Sequence, residues 1–283
     1  MLVNVQHNTF YDKALYLMTK MEINNNNNTN KNTFEQKSTG EKHLQQHQQL
    51  ITGSPMKTLI VKYIPRNEES NTKKLLDAFR DEISNSDVEE LDLVNDVPDM
   101  LLDNNLLAHI NRNILGQELS PDEEKLLSKM DRMAAQLKSA DIVVVAFPMY
   151  NFSMPAIVKA WFDSVIQRGV TFGQGNDGQT VISNAAKKAL TLISCGGVYS
   201  NESSSGREHA LSLSNLEFQF MGYSDVRGIL AEGMAMREEV KQTNLNESIH
   251  QARAIAREWY KKKEEYDSIS INLIRRKRRF GNV

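Results

Sequence analysis

Three features of the sequence predict an α/β fold with a doubly wound parallel sheet. Short runs rich in Val, Ile and Leu alternate with amphipathic stretches five times between Lys57 and Lys263. The run Asp141–Phe147 (DIVVVAF) is almost continuously apolar, as expected of a strand covered on both faces. Ser120-Pro121-Asp122-Glu123 combines an N-cap hydroxyl, a proline at the first helical position and an acid three residues after the cap, which marks a helix start.

The elements follow in order. Lys57–Tyr63 (KTLIVKY) is a β-branched run and the first expected strand. An amphipathic stretch with Leu75, Leu76, Phe79 and Ile83 follows, then a second short strand at Val88–Leu93. The helix opened by Ser120 carries Leu126, Leu127, Met130, Met133 and Leu137 on one expected face. After Asp141–Phe147, the residues Ile157, Val158, Trp161, Phe162, Val165 and Ile166 form the wide apolar stripe of another helix. Lys188–Ser194 is the fourth strand and Ser205 with Glu208 has the form of a second capping box. Asp225–Leu230 is the last strand, and Glu247–Lys263 the closing helix.

The 283 residues divide unevenly around this domain. Residues 1–55 hold nine Asn and six Gln, including the run from Asn24 to Asn28. Such a segment buries too little apolar area to offset the entropy of ordering it, so a disordered extension is expected there. Residues 56–263 form the expected globular domain, with Met56 directly before the first strand. Residues 264–283 form an expected basic tail that contains Arg275, Arg276, Lys277, Arg278 and Arg279, read first as a solvated, disordered end and otherwise as a segment that binds a polyanion or an import receptor. The formal net charge of −2 is a cancellation, because without those five cations 29 basic residues face 36 acidic ones, a net −7. Nucleic-acid binding draws on phosphate neutralisation by a basic surface, which an acidic domain lacks.

One cysteine, Cys195, excludes an internal disulfide framework and a multi-thiolate metal site. His43 and His47 stand at i, i+4, but nothing supplies further ligands and no metal is expected. No apolar run approaches the ~18–20 residues needed to span a bilayer, and the first residues carry no secretory pattern. The expectation is therefore a cytoplasmic protein with no membrane partner.

In a doubly wound sheet, ligands bind beyond the carboxyl ends of the strands. Three loops lie there. The first runs from Ile64 to Thr72 and ends at a helix N-terminus, where free N–H groups and the positive helix end suit a phosphate. Ser70, Asn71 and Thr72 can add donors there or serve as helix caps. The loop has no glycine, so it is neither a G-x-G-x-x-G turn nor a Walker loop. The second loop, Phe147-Pro148-Met149-Tyr150-Asn151-Phe152-Ser153-Met154-Pro155, is a stiff apolar platform bracketed by prolines, suited either to a flat heteroaromatic ring or to tight packing. The third, Ser194-Cys195-Gly196-Gly197-Val198-Tyr199, has paired glycines that let backbone N–H groups approach a ligand closely. Cys195 has no histidine within these loops to act as its base, although His209 or His250 could approach in space, and it is a weak candidate nucleophile.

The segment Phe147–Phe172 (FPMYNFSMPAIVKAWFDSVIQRGVTF) resembles the signature of the flavodoxin-like FMN-dependent NAD(P)H:quinone oxidoreductases, the azoreductase family. Pro148 to Phe152 resembles that family's isoalloxazine-binding segment, with Lys159, Phe162-Asp163 and Gly169-Val170-Thr171-Phe172 as its continuation. Pro155-Ala156-Ile157 through Trp161-Phe162-Asp163 is also similar to the related FAD-containing quinone reductases. The resemblance spans Met56 to Lys263. It implies a five-stranded sheet in the order 2-1-3-4-5 with helices on both faces, and a homodimer. Ser70, with Asn71 and Thr72, would bind the FMN phosphate, while Pro148, Met149, Tyr150, Asn151 and Phe152 would line the ring. Ser194, Gly196 and Gly197 would meet its pyrimidine edge, and Phe172, Tyr199 and Phe220 would form the substrate pocket, Phe220 from the partner subunit.

The chain departs from the family pattern in places. The phosphate loop is about two residues shorter than usual, Tyr63 stands where Ser is common, Glu68 and Glu69 put two acids beside the phosphate position, and Cys195 replaces a frequent Arg.

The implied activity is two-electron reduction of quinones and azo compounds in a ping-pong cycle, with NADH or NADPH delivering hydride to the flavin N5 and no side chain indispensable to the chemistry. The shortened acidic loop keeps open a flavodoxin-like binding or regulatory protein that has lost tight FMN binding. An FAD-type quinone reductase is a third reading.

Overall fold

The computed structural model describes residues 56–83, 86–174, 180–181, 184 and 186–280. The expected extension at 1–55 and the His43/His47 pair lie outside the described residues. Five strands, β1 (Lys57–Lys62), β2 (Asp87–Asp92), β3 (Ile142–Pro148), β4 (Lys188–Ser194) and β5 (Asp225–Ala231), pair in parallel in the order β2-β1-β3-β4-β5. The doubly wound parallel sheet and its 2-1-3-4-5 order are thus as expected, with strand ends within about one residue of the sequence reading.

Helices cover both faces, and the strands show why. In β3, Val143, Val145 and Phe147 join one buried cluster, while Ile142, Val144 and Ala146 join another. The first cluster includes Met133 and Leu137 of α3 (Pro121–Ser139), Val158, Trp161 and Phe162 of α4 (Ala156–Val165), and Phe218 of α6 (Leu211–Phe220). The second includes Leu75, Leu76 and Phe79 of α1 (Asn71–Asp81) and Leu245, Ala252, Ala256 and Trp259 of α7 (Glu238–Phe280). Trp259 donates its indole N–H to Asp225 at 3.0 Å, and Lys188 and Arg227 stand over its ring, tying α7 to β4 and β5.

Capping agrees with the sequence at α3, where Ser120 Oγ accepts the Glu123 N–H and Glu123 accepts the Ser120 N–H at 2.8 Å. Such a cap contributes about 1 kcal/mol. Three expectations need correction. Leu126 is 40% exposed, because the α3 stripe that meets the sheet runs through Leu127, Met130, Met133 and Leu137. Ser205 ends the short helix α5 (Glu202–Ser205) rather than opening one, and Glu208 alone caps α6, accepting the N–H groups of Ala210 and Leu211 at 2.7 Å and of Ser212 at 3.1 Å. Finally, α7 begins at Glu238 and continues to Phe280, where a helix from Glu247 to Lys263 and a disordered tail were expected. Its first turn holds Glu238 and Glu239, favourable at a helix N-terminus, and residues 264–280 contain no Gly or Pro to stop it.

Not anticipated were α2 (Asp103–Asn113), a pair of two-residue strands, Gly173–Gln174 with Thr180–Val181, a 3-10 turn at Asn67–Glu69 and the short α5 itself. Helix α6 lies very close to β5. A Cβ on Gly228 would stand 2.0 Å from the tip of the Leu211 side chain, so glycine lets that side chain rest against the strand backbone and a larger residue would turn it aside. Among the described residues no helix is long and apolar enough to cross a membrane, and no group of three or more His, Cys, Asp or Glu residues is placed to hold a metal ion.

Candidate functional site

A cleft of about 280 Å³ opens beyond the carboxyl ends of β1, β3 and β4. Seven of the expected site residues line it: Ser70, Asn71, Pro148, Met149, Tyr150, Ser194 and Gly196. They come from all three loops. The loop after β1 ends where Ser70 caps α1, its Oγ accepting the Lys73 N–H at 3.3 Å. This leaves the first turn of α1, with Asn71, facing the cleft as a ready anion site.

The loop after β3 turns back immediately. Tyr150 and Ser153 exchange both backbone hydrogen bonds at 3.0 Å, and the two residues between them, Asn151 and Phe152, have φ of 46° and 71°. A two-residue reversal of this kind uses left-handed backbone at both central positions, and a phenylalanine there is strained. Two contacts hold it. The Phe152 carbonyl accepts the His209 N–H at 2.9 Å, and the Phe152 ring meets Tyr199 edge-on at 6.3 Å. Tyr150 in turn meets Tyr63 edge-on at 6.1 Å, and the half-buried Tyr63 hydroxyl is raised above its usual pKa by desolvation and by Tyr150.

The loop after β4 is fastened to the one after β5. Met234 N–H donates to the Cys195 carbonyl at 3.0 Å, Ala235 to Gly196 at 3.2 Å and Gly233 to Gly197 at 2.8 Å. With the carbonyls occupied, the N–H groups of Gly196 and Gly197 have no acceptor among the described residues. A Cβ on Gly196 would stand 3.3 Å from the Ala235 Cβ, so glycine keeps this backbone edge open.

The remaining expected residues sit elsewhere. Thr72 is fully buried behind the cleft, its hydroxyl 2.7 Å from that of Ser194. Asn151 and Phe152 form the turn tip, Gly197 packs under the Tyr199 ring, and Phe172 pairs with Phe220 at 4.9 Å between ring centroids. Four residues that sequence reasoning did not assign also line the cleft: Pro65, Arg66, Met234 and Ala235. Arg66 had a signal, as a cation just ahead of a helix start. Met234 and Ala235 had none, because they arrive through pairing with the loop after β4.

The charges are paired. Arg66 Nη2 lies 2.9 Å from Glu69, whereas Lys73 Nζ lies 3.5 Å from Glu68 and is held by Asp77 at 2.7 Å, so Glu69 has its own cation and Glu68 shares one. Cys195 also lines the cleft, yet it is 4% exposed, and burial, with Glu232 and Glu208 nearby, pushes its pKa up to about 12. A thiol protonated at neutral pH is no nucleophile. An anion site, a flat apolar edge and an open backbone strip thus lie side by side, which fits a phosphate-bearing planar ring.

Comparison with known proteins agrees with this fold. Residues 56–256 match a protein-family model described as flavodoxin-like fold. An FMN-dependent NADH:quinone oxidoreductase 1 of Idiomarina loihiensis is 35% identical over 148 residues, 52% of this chain and 77% of that protein. The chain belongs to the flavodoxin-like FMN-dependent NADH:quinone oxidoreductase and azoreductase family. Another family member, the FMN-dependent NADH:quinone oxidoreductase 1 of Bacillus anthracis, is 27% identical over 219 residues, covering 74% of this chain and 99% of that protein. Within the same family, the crystal structure of an FMN-dependent NADH-azoreductase from Bacillus anthracis in complex with FMN superimposes with a TM-score of 0.62 at 28% identity, over 71% of this chain and 99% of that one.

Proposed function

We propose that this protein is an FMN-dependent NADH oxidoreductase that reduces quinones and azo compounds by two electrons, in a ping-pong cycle. The observation that carries the reading is the continuity of the cleft from the α1 N-terminus, through Pro148 to Tyr150, to Gly196. The residues fit FMN. Ser70, Asn71 and Arg66 would hold its phosphate, Pro148, Met149 and Tyr150 would seat its ring, and Ser194 and Gly196 would meet the pyrimidine edge. When bound, FMN supplies hydride and two-electron chemistry. The chain contributes position and field: the open N–H group of Gly196, which lines the cleft, would stabilise negative charge on the ring edge. Tyr150, 43% exposed, leaves the cleft accessible to a donor and an acceptor in turn, which is what a ping-pong order needs.

The acidic-loop argument for a non-binding relative loses force, because Glu69 is ion-paired with Arg66 and the Glu68 side chain, which shares Lys73 with Asp77, is 86% exposed to solvent. A homodimer is part of the proposal. Met100, Leu102, Leu107 and Leu115 on and beside α2, and Phe220 on α6, are each about half exposed, and a second copy would cover such surface. The test is to release and identify the cofactor of the purified protein, then to follow NADH and NADPH oxidation with a quinone and an azo dye. Released FMN with quinone- or azo-dependent NADH oxidation supports the reading. A colourless protein that stays inactive with added FMN defeats it, and released FAD replaces it with the FAD-type enzyme.

A further inference from the structure

Helix α7 runs on past the domain it helps to build. Among the described side chains, the last it gives to the core are those of Trp259 and Tyr260. Residues 261–280 continue the helix for a further ~30 Å, and they lie beyond the family match, which ends at residue 256. Tyr266, Ile269, Ile271, Leu273 and Ile274 make this extension apolar, and Arg275, Arg276, Lys277, Arg278 and Arg279 follow directly. Helical spacing sorts these positions. From 266 onward, the apolar positions 266, 269, 273 and 280 fall within an arc of about 60° that no other position enters. The cationic positions 276 and 277 fall at the two borders of that arc, and 275, 278 and 279 fall on the far side. A helix with an apolar face bordered by cations lies in the headgroup region of a bilayer, where buried apolar area and charge hold together what neither holds alone.

We infer that residues 266–280 of α7 are a docking helix and that its partner is an anionic lipid surface. The absence of a spanning helix among the described residues bears on crossing a membrane, not on lying in its surface. Charge points to the same partner. The chain without the five cations carries a net −7, but positions 275–279 stand on the order of 25 Å along the helix from Tyr260. That is about three Debye lengths in physiological salt, so the negative domain is screened from whatever the cations meet. Nucleic acid would use the cations and leave the apolar face without a role. For a quinone reductase such a surface is also where apolar quinones partition, a consequence that rests on the reading above.

The test is co-sedimentation of the full-length chain with vesicles of phosphatidylcholine alone and of phosphatidylcholine mixed with phosphatidylserine, with a DNA duplex as the competing polyanion. The parent should bind the mixed vesicles, release them at high salt and bind the neutral ones far less. Replacing Arg275, Arg276, Lys277, Arg278 and Arg279 together with Gln should weaken binding at least about a hundredfold, since each cation near an anionic surface counts several-fold. Ile269→Gln with Leu273→Gln, which keeps every charge, should weaken it at least about tenfold. Asn272→Pro, which keeps every charge and every apolar residue but breaks the helix, should weaken it as well. A parent that ignores the anionic vesicles overturns the inference. So does a parent that binds DNA more tightly than the vesicles, or an Ile269→Gln, Leu273→Gln protein that binds vesicles as the parent does, since either leaves a segment that acts by charge alone. Vesicle binding is read without turnover, so loss of the FMN reading leaves the docking helix standing, and failure to dock leaves the FMN reading untouched.

Discussion

The Arg66 guanidinium holds the Glu69 carboxylate at 2.9 Å on the rim of the cleft. Both side chains are about three-quarters exposed, so the pair does little for stability and acts through the field at the anion site. Replacing Arg66 with Ala leaves Glu69 facing the anion alone. FMN affinity should fall several-fold, and less so at high salt. Glu69→Gln should tighten binding. Fluorescence titration at two salt concentrations checks both; an affinity indifferent to Glu69→Gln would mean that this acid faces solvent.

Phe152 pays in backbone strain for its place in the turn, with φ of 71°. Glycine relieves that strain and alanine does not, while both remove the ring contact with Tyr199. Phe152→Gly should therefore be more stable than Phe152→Ala by about 1 kcal/mol, measured by denaturant unfolding. Equal stabilities would place the cost elsewhere.

Glu217 sits 8% exposed on α6, with its Oε1 3.4 Å from Lys159 Nζ and its Oε2 without a partner among the described residues. Burial raises its pKa to about 7, against the opposing pull of Lys159. Burial also works against the Lys159 ammonium, but the hydrogen bond to Asp163 and the charge of Glu217 outweigh it and hold the lysine above its usual value. The folded form thus holds the Glu217 proton more tightly than the unfolded chain. The stability this contributes is complete below about pH 4.5 and is lost as pH rises to about 7. Glu217→Gln should remove that fall and leave the protein more stable above pH 7, by on the order of 2 kcal/mol. Unfolding curves from pH 4 to 8 that keep the same slope in both proteins would refute the assignment.

Cys195 should resist thiol reagents in the native protein and react once unfolded, given its burial and raised pKa. Cys195→Ala should retain FMN binding and turnover. Loss of turnover with FMN still bound would restore a catalytic role to the thiol.

Much of this was legible in the sequence because the strands state their own burial. The unbroken apolar run at 142–147 marks a central strand whatever surrounds it. The platform at Pro148 to Tyr150 was legible for a similar reason, since prolines and aromatics advertise a stiff apolar edge. Helix α2 was not. Leu102, at its cap position, has no side-chain acceptor to signal a start, and only Ala108 and Asn113 are buried along the helix, too few to set a period. Its leucines mislead further, because Leu106 and Leu107 are exposed.

Thr72 was legible as a polar residue at a helix start but not as a buried one, since only the meeting of α1 with β4 places its hydroxyl against Ser194. Met234 and Ala235 reach the cleft through hydrogen bonds to the distant Cys195 and Gly196, a relation with no local trace in the sequence.

The glycine at 228 sets a limit on how the domain can vary. A methyl group there would meet the end of the half-buried Leu211 side chain, so a change at this position is taken up first by that side chain turning aside. A missing side chain on an edge strand thereby sets where the first side chain of α6 can rest. Saturation mutagenesis should find small residues such as alanine accepted at position 228 at a modest cost in stability and bulky ones disfavoured, while surface positions of α6 such as Leu216 accept many.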